Sequence, residues 1–116
     1  MDAQSSPLTL PSTGRLQVDV RLTAEVNVSA VVARRKVNAF LATHVGNLLL
    51  ADEPVLTLCE RIVWRVPVDL TAPPGGRLGR VGEVDVDVES GELLLDDAQI
   101  AEIKEHAHRL VTGSPL

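Results

Sequence analysis

The hydrophobic pattern changes its period once in the first half of the chain. From Leu16 to Val28, apolar and polar residues alternate strictly, and a period of two is typical of a half-buried β-strand. After Ser29, a residue suited to capping a helix, the apolar spacing lengthens to three and four residues. The pattern therefore predicts a strand over 16–28 and a helix over 30–49, which Pro54 prevents from extending farther.

The middle of the chain alternates again over residues 55–71. Its polar break at 59–61 is compatible with a tight hairpin or with one bulged strand, and the pattern leaves both open. Pro67 has no amide hydrogen, so it should lie beside an edge or an irregularity of the sheet. On the polar side of the strands, Arg65 and Asp85 are expected to pair across two neighbours.

The last third of the chain predicts a strand over 80–89, a short strand over 93–95 and a helix capped by Asp96 or Asp97. Gly113 stands where a left-handed C-terminal cap is expected. Together the elements predict an α+β fold in the order β-α-β(β)-β-β-α. Its antiparallel sheet would have about four strands, with two helices packed on one face.

Length and composition allow one domain. The 116 residues are 45% hydrophobic, which is enough for one core and leaves no room for a second. Residues 1–15 and 113–116 are rich in Ser, Pro and Gly, so we expect flexible tails around a single domain at 16–112. Cys59 is the only cysteine and the chain starts without a signal-like or membrane-spanning apolar run, which favours a cytoplasmic protein.

The charge of the chain disfavours nucleic acid as a partner. The formal net charge is −5 and the 11 Lys and Arg residues are scattered, whereas binding to phosphates needs a basic patch. Phe40 and Trp64 are the only Phe, Trp or Tyr residues, too few to stack on bases. A nucleic-acid regulator would have to use Arg34, Arg35, Lys36, Arg77 and Arg80.

No motif predicts catalysis, a cofactor or a metal ion. Asp85, Asp87 and Glu89 place carboxylates at alternate positions, but the valines between them favour a strand and turn over a calcium loop. A glycine at every third position over 76–82 lacks the lysine of a phosphate-binding loop, and we interpret it as a flexible hairpin tip.

A cleft between the 30–49 helix and the sheet would support a different function, that of a small-ligand-binding protein or an enzyme. The residues with suitable chemistry are His44 on the apolar stripe of the helix, Cys59 and Trp64. Each also has an ordinary interpretation, as a satisfied core imidazole, a spare thiol and a core aromatic ring.

Apolar residues at outward positions indicate an association surface instead. Val63 and Val81 occupy the polar parity of their strands, and Leu94 belongs to a leucine run that must reach both faces of the sheet. Arg77 and Arg80 add a possible contact with an acidic partner. We therefore expect a non-enzymatic protein-interaction or assembly module, with a protein partner or a second copy in a homodimer.

Two segments share their pattern with a known family. A helix is followed by Trp64-Arg65-Val66-Pro67-Val68 and then by Val84-Asp85-Val86-Asp87-Val88-Glu89-Ser90-Gly91-Glu92. Over residues 29–95 the chain thereby resembles a PepSY-type domain, with Ser90 in the place of the family's threonine. The resemblance implies a compact α+β module of a kind often exported and suggested to bind or restrain peptidases.

Overall fold

A computed structural model describes residues 13–72 and 76–112 of the chain. Over these residues the elements are α1 (Ala30–His44), β1 (Leu49–Ala51), β2 (Val55–Leu58), β3 (Ile62–Thr71), β4 (Arg77–Asp87), β5 (Leu93–Leu94) and α2 (Asp97–Thr112). The strands form one antiparallel sheet in the order β1-β3-β4-β5, and β2 pairs with the other end of β3. The predicted α+β class is confirmed, although the sheet has five strands.

The predicted first strand does not form. Residues 15–27 belong to no helix or strand, and none of the described residues before α1 joins the sheet. The described order is therefore α-β-β-β-β-β-α. The prediction of a half-buried strand was wrong, because a strand needs a neighbour to which its backbone can bond and these residues have none in the described sheet.

The first helix begins as predicted. The Ser29 hydroxyl accepts the amide hydrogen of Val32 at 3.2 Å, which satisfies one of the free donors of the first turn. A stripe at every fourth position is buried against the sheet: Ala33, Val37 and Leu41. The helix packs on β1 and β3.

The helix ends five residues earlier than predicted, at His44. The carbonyl oxygen of Leu41 accepts hydrogen bonds from the amides of both Val45 and Gly46, at 3.0 and 2.8 Å, and these two hydrogen bonds close the last turn. The apolar stripe continued to Leu49 because that residue starts β1, whose side chains also reach the core. A helical and a strand-like segment thus shared one uninterrupted apolar pattern.

The open choice at residues 59–61 is resolved as a hairpin. The strands β2 and β3 pair from Val55 opposite Arg65 to Leu58 opposite Ile62, and the amide of Cys59 donates to the carbonyl of Arg61 at 3.0 Å. Farther along β3, Pro67 lies between the stretches that pair with β2 and β1. It therefore faces the irregularity that its missing donor requires.

The second helix packs close to β4 because two glycines of that strand have no side chain. A Cβ at Gly82 would stand 2.8 Å from Cγ1 of Ile103, and one at Gly79 would stand 3.1 Å from Cδ1 of Leu110. The interpretation of these glycines as a flexible tip was wrong, since β4 already begins at Arg77. Residues 73–75, before β4, lie outside the described residues, and so does Gly113, the expected cap of the last helix.

Asp96 caps α2 in a reciprocal arrangement with Gln99. The Asp96 carboxylate accepts the amide of Gln99 at 2.8 Å, and the Gln99 side-chain oxygen accepts the amide of Asp96 at 3.0 Å. Neither helix of the described part is long and apolar enough to cross a membrane.

Candidate functional site

The most distinctive surface of the molecule is an extended N-terminal arm, defined here as residues 16–26. Its apolar parity, which alternation predicted to be buried, is exposed. Leu16, Val18, Val20, Leu22 and Val26 keep between 40% and 65% of their accessible surface. Scattered exposed leucines are normal on a protein surface, but these five all belong to one parity of a short segment, four of them at successive alternate positions.

The arm leaves the domain from a well-bonded root. The amides of Asn27 and Val28 both donate to the carbonyl of Val88, at 2.8 and 3.1 Å. The Trp64 indole donates to the carbonyl of Val28 at 2.7 Å, and Val28 itself is buried in the core. Because the root is held at several points, the arm is presented from a fixed place beside the turn that follows β4.

The edges of the sheet are partly occupied by the chain's own side chains. On β1, Ala51 receives a bond at its carbonyl from Nε of Arg34 (3.2 Å) and gives its amide to the side-chain oxygen of Asn38 (2.8 Å). On β4, Nδ1 of His106 lies 2.9 Å from the carbonyl oxygen of Val81. Such bonds protect an edge from pairing with another strand.

The sheet face opposite the helices does not carry the apolar patch expected at Val63 and Val81. Val63 is 0% exposed and Val81 is 1% exposed. Val63 lies beside Arg61–Asp87 and Arg65–Asp85 ion pairs, where long arginine stems flank it. Val81 belongs to the core cluster. Val68 and Asp69 of β3 pair with Gly82 and Arg80, so Val81 is the extra residue of a register shift and does not follow the alternation of β4.

Leu94 is half-buried in β5, opposite Asp85. The predicted cross-strand pair between Arg65 and Asp85 is confirmed as two parallel hydrogen bonds of 2.9 Å. Through this bonding Asp85 raises the pKa of the Arg65 guanidinium. The outer face is therefore closed by polar pairs of the domain itself.

Arg77 and Arg80 are engaged within the fold. Both donate to the carboxylate of Asp69, which is only 4% exposed, and Arg77 does so at 2.7 Å. Asp52 adds a second acceptor for Arg80 at 3.3 Å. The backbone amide of Glu53 lowers the pKa of Asp52, and the two arginines add to that effect. The charges of Arg77 and Arg80 are thus compensated within the fold, which argues against their use as a binding site for an acidic partner.

The residues predicted to line a pocket are not brought together. The indole nitrogen of Trp64 is used at Val28, near the start of α1, whereas His44 ends α1 and stacks on Phe40. The length of the helix separates these two places by about 20 Å. Cys59 lies in the β2–β3 turn, where its thiol donates to the carbonyl of Arg61 at 3.1 Å.

A cavity of about 240 Å³ lies elsewhere, at the end of α1. Its lining is mostly apolar and comes from the turn after α1 and from β1, β3 and α2, and Lys104 is its one charged lining residue. Ligand pockets are usually larger, about 300–1,000 Å³, and carry several convergent polar groups. This cavity therefore gives little support to a small-ligand site.

The carboxylates considered for calcium serve the turn after β4. One oxygen of Asp87 accepts the amides of Glu89 and Ser90, at 2.8 and 3.0 Å, and the other accepts from Arg61. The Ser90 amide is the main cause of a lowered pKa at Asp87, and Glu89 and Arg61 act in the same direction. Within residues 13–72 and 76–112, no three His, Cys, Asp or Glu side chains are placed to hold a metal ion.

The arm was not considered as a surface from the sequence, because its alternation assigned it to the sheet. The alternation was nevertheless the signal that identifies it. The chain matches no known protein family, no curated protein and no solved structure. The resemblance to PepSY-type domains stays a prediction that these comparisons neither support nor refute.

Proposed function

We propose that this chain is a non-enzymatic association module whose arm, residues 16–26, pairs as a β-strand with another protein chain. The observation that supports the proposal is the exposed apolar parity of the arm. A sequence with a strict period of two has one face suited to burial and one suited to water. In the described part of the chain the arm has no strand beside it.

The energetics favour covering this parity. Five valine and leucine side chains retain roughly half of their surface, and burying the remainder stabilises by on the order of 1 kcal/mol each. The gain must exceed the entropy of ordering the arm, which an extended backbone held at its root reduces. Strand addition also bonds the backbone groups of the arm, the usual source of affinity in this mode of recognition.

An association role also agrees with the rest of the surface. Arg34 is paired with Glu53 at 2.8 Å, and Arg77 and Arg80 are engaged by Asp69, so three of the five basic residues considered for nucleic acid are compensated. The expected cytoplasmic location and the PepSY-like resemblance remain predictions on which the proposal does not depend.

The test compares the two parities of the arm. Val18→Ser with Val20→Ser removes apolar surface, while Gln17→Ser with Thr23→Ser changes the same number of residues on the polar parity, and neither pair alters the net charge. Size-exclusion chromatography with light scattering is run on the purified full chain and on the chain added to an extract of its source cells.

The proposal predicts that wild type and the polar-parity variant form a complex and that the valine variant elutes as a monomer. At a dilution where both variants are monomeric, circular dichroism should give the same melting temperature for both, because residues 16–26 are outside the core. If the two variants form the same fraction of complex, or if wild type forms no complex alone or in the extract, the proposed function is wrong.

A further inference from the structure

We propose that the partner of the arm is the arm of a second copy of this chain, paired antiparallel about Val20. This inference rests on the proposed association function and specifies its partner. It combines the exposure of the arm with the order of charges along it.

The order of charges makes the arm complementary to itself. When two arms run antiparallel with Val20 opposite Val20, Asp19 of one copy faces Arg21 of the other, and Arg15 faces Glu25. Twofold symmetry repeats each pair. Every charged residue between positions 15 and 27 then has an opposite charge across from it, an arrangement that stabilises antiparallel strands.

Neighbouring registers lack this property. Centring the pair on Asp19 or Arg21 sets that residue against its own copy, and centring it on Leu22 sets Asp19 against Glu25. Centring on Val18 sets Arg15 against Arg21. A register that shifts one arm by a single residue would place even-numbered positions opposite odd-numbered ones. The apolar residues of one arm would then lie opposite the polar residues of the other. The charges therefore select the register about Val20.

The same register also builds one apolar face. Val18 lies opposite Leu22, and Leu16 lies opposite Ala24. A ribbon of two strands is marginally stable in water unless such a face is packed. Leu56 and Leu58, about half exposed, lie on β2, and Leu56 pairs with Trp64, which holds the root of the arm. These leucines are placed to cover the start of the ribbon.

Pairing between arms is favoured over addition of the arm to a sheet edge. The edge of β1 is bonded by Arg34 and Asn38 of α1. The long edge of β4 is contacted by α2 and bonded at Val81 by His106. The remaining edge strands are β2 and β5, with 4 and 2 residues, too short to match an arm of this length. Two arms centred on Val20 match each other over residues 16–24, nine positions on each copy.

Disulfide trapping tests the register directly. In a Cys59→Ser background of the full chain, Val20→Cys places two thiols opposite each other, within the distance that a disulfide requires. Val18→Cys is the matched control on the same face, since its own copy lies four residues away along the ribbon. We expect a mild oxidant to link Val20→Cys into covalent dimers, read on a denaturing gel without reductant, and to leave Val18→Cys without a covalent cross-link. A mixture of Val18→Cys and Leu22→Cys should cross-link as a heterodimer.

Charge reversal gives an independent readout. Asp19→Arg sets like charges against each other at two places in the dimer and should raise the dimer dissociation constant about tenfold. Adding Arg21→Asp exchanges the two signs and should restore the wild-type value. Sedimentation velocity over a concentration series measures both.

The outcomes separate this inference from the proposed function. A wild-type chain that stays monomeric at all concentrations, yet forms an arm-dependent complex in the cell extract, overturns the inference and leaves the proposed function intact. Equal cross-linking of Val20→Cys and Val18→Cys, or no rescue by Arg21→Asp, also overturns it. Loss of every arm-dependent complex defeats both.

Discussion

Gly82 determines how closely α2 approaches the sheet. Ile103, which is 3% exposed, occupies the space that a side chain at position 82 would need. A glycine inside a strand otherwise weakens it, so its presence here reflects a close contact between elements. A sequence pattern cannot reveal this contact, because it depends on where α2 crosses β4.

Gly82→Ala is expected to destabilise the domain by about 1–3 kcal/mol, since the new methyl group must displace Ile103. Gly46→Ala is the matched control. Gly46 lies in the turn after α1, and a Cβ there meets nothing within 4 Å. Urea unfolding of both variants measures the effect. Equal stability of the two variants would contradict the packing of α2 on β4.

Asp87 makes stability depend on pH. Because the Ser90 amide, the Glu89 amide and Arg61 favour its charged form, its pKa lies below the ordinary value of 3.8. The stabilisation is fully present above 3.8 and is lost as pH falls through the lower folded value. Asp87→Asn should thus be less stable than wild type at neutral pH.

The difference between Asp87→Asn and wild type should shrink as the pH falls below 3.8, because the protonated carboxyl also loses its ion pair with Arg61. Thermal unfolding of both proteins across this range is the measurement. A difference that stays constant with pH would show that the charge of Asp87 does not stabilise the fold.

At the scale of elements, local signals define where α2 begins. Sequence left Asp96 and Asp97 as alternative caps, and the reciprocal bonds between Asp96 and Gln99 identify the first. Asp96→Ala should cost about 1 kcal/mol, whereas Asp97→Ala, inside the first turn, should cost only a few tenths. Chemical denaturation distinguishes the two, and a reversed order would contradict the cap assignment.

The elements predicted well from sequence are those whose signals are local. The start of α1 follows from Ser29. The polar break at 59–61 located the β2–β3 turn, although the pattern left a hairpin and one bulged strand as alternatives. The predictions that were wrong depend on distant contacts. The helix was extended to Leu49 because β1 continues its apolar pattern, and Val63 was expected to be exposed although neighbouring strands cover it.

The arm also shows that a sequence pattern cannot identify distant contacts, here because the partner strand that its pattern implies is missing from the described sheet. Its period of two predicted a half-buried strand of the sheet, and that prediction was wrong because no strand of the described sheet pairs with it. The sequence alone therefore could not identify the arm as a candidate surface. The fold is needed to show which predicted strand the domain leaves unpaired.

At the scale of the whole molecule, the surface offers one feature that the domain itself does not use. The outer sheet face is closed by Arg65–Asp85 and by the bonds that Asp69 receives from Arg77 and Arg80. The edges of β1 and β4 are bonded by side chains of the helices. Among the described residues, the arm combines an exposed apolar parity with a backbone that pairs with no strand of the sheet.

We propose that residues 16–26 become a strand only by pairing with another chain. Amide hydrogen exchange of the full chain, followed residue by residue at low and high protein concentration, is the decisive measurement. We expect fast exchange over 16–26 in dilute solution and marked protection at high concentration, while the protection of β3 stays unchanged. Protection of the arm that is equal at both concentrations, or absent at both in a chain that dimerises, would contradict it.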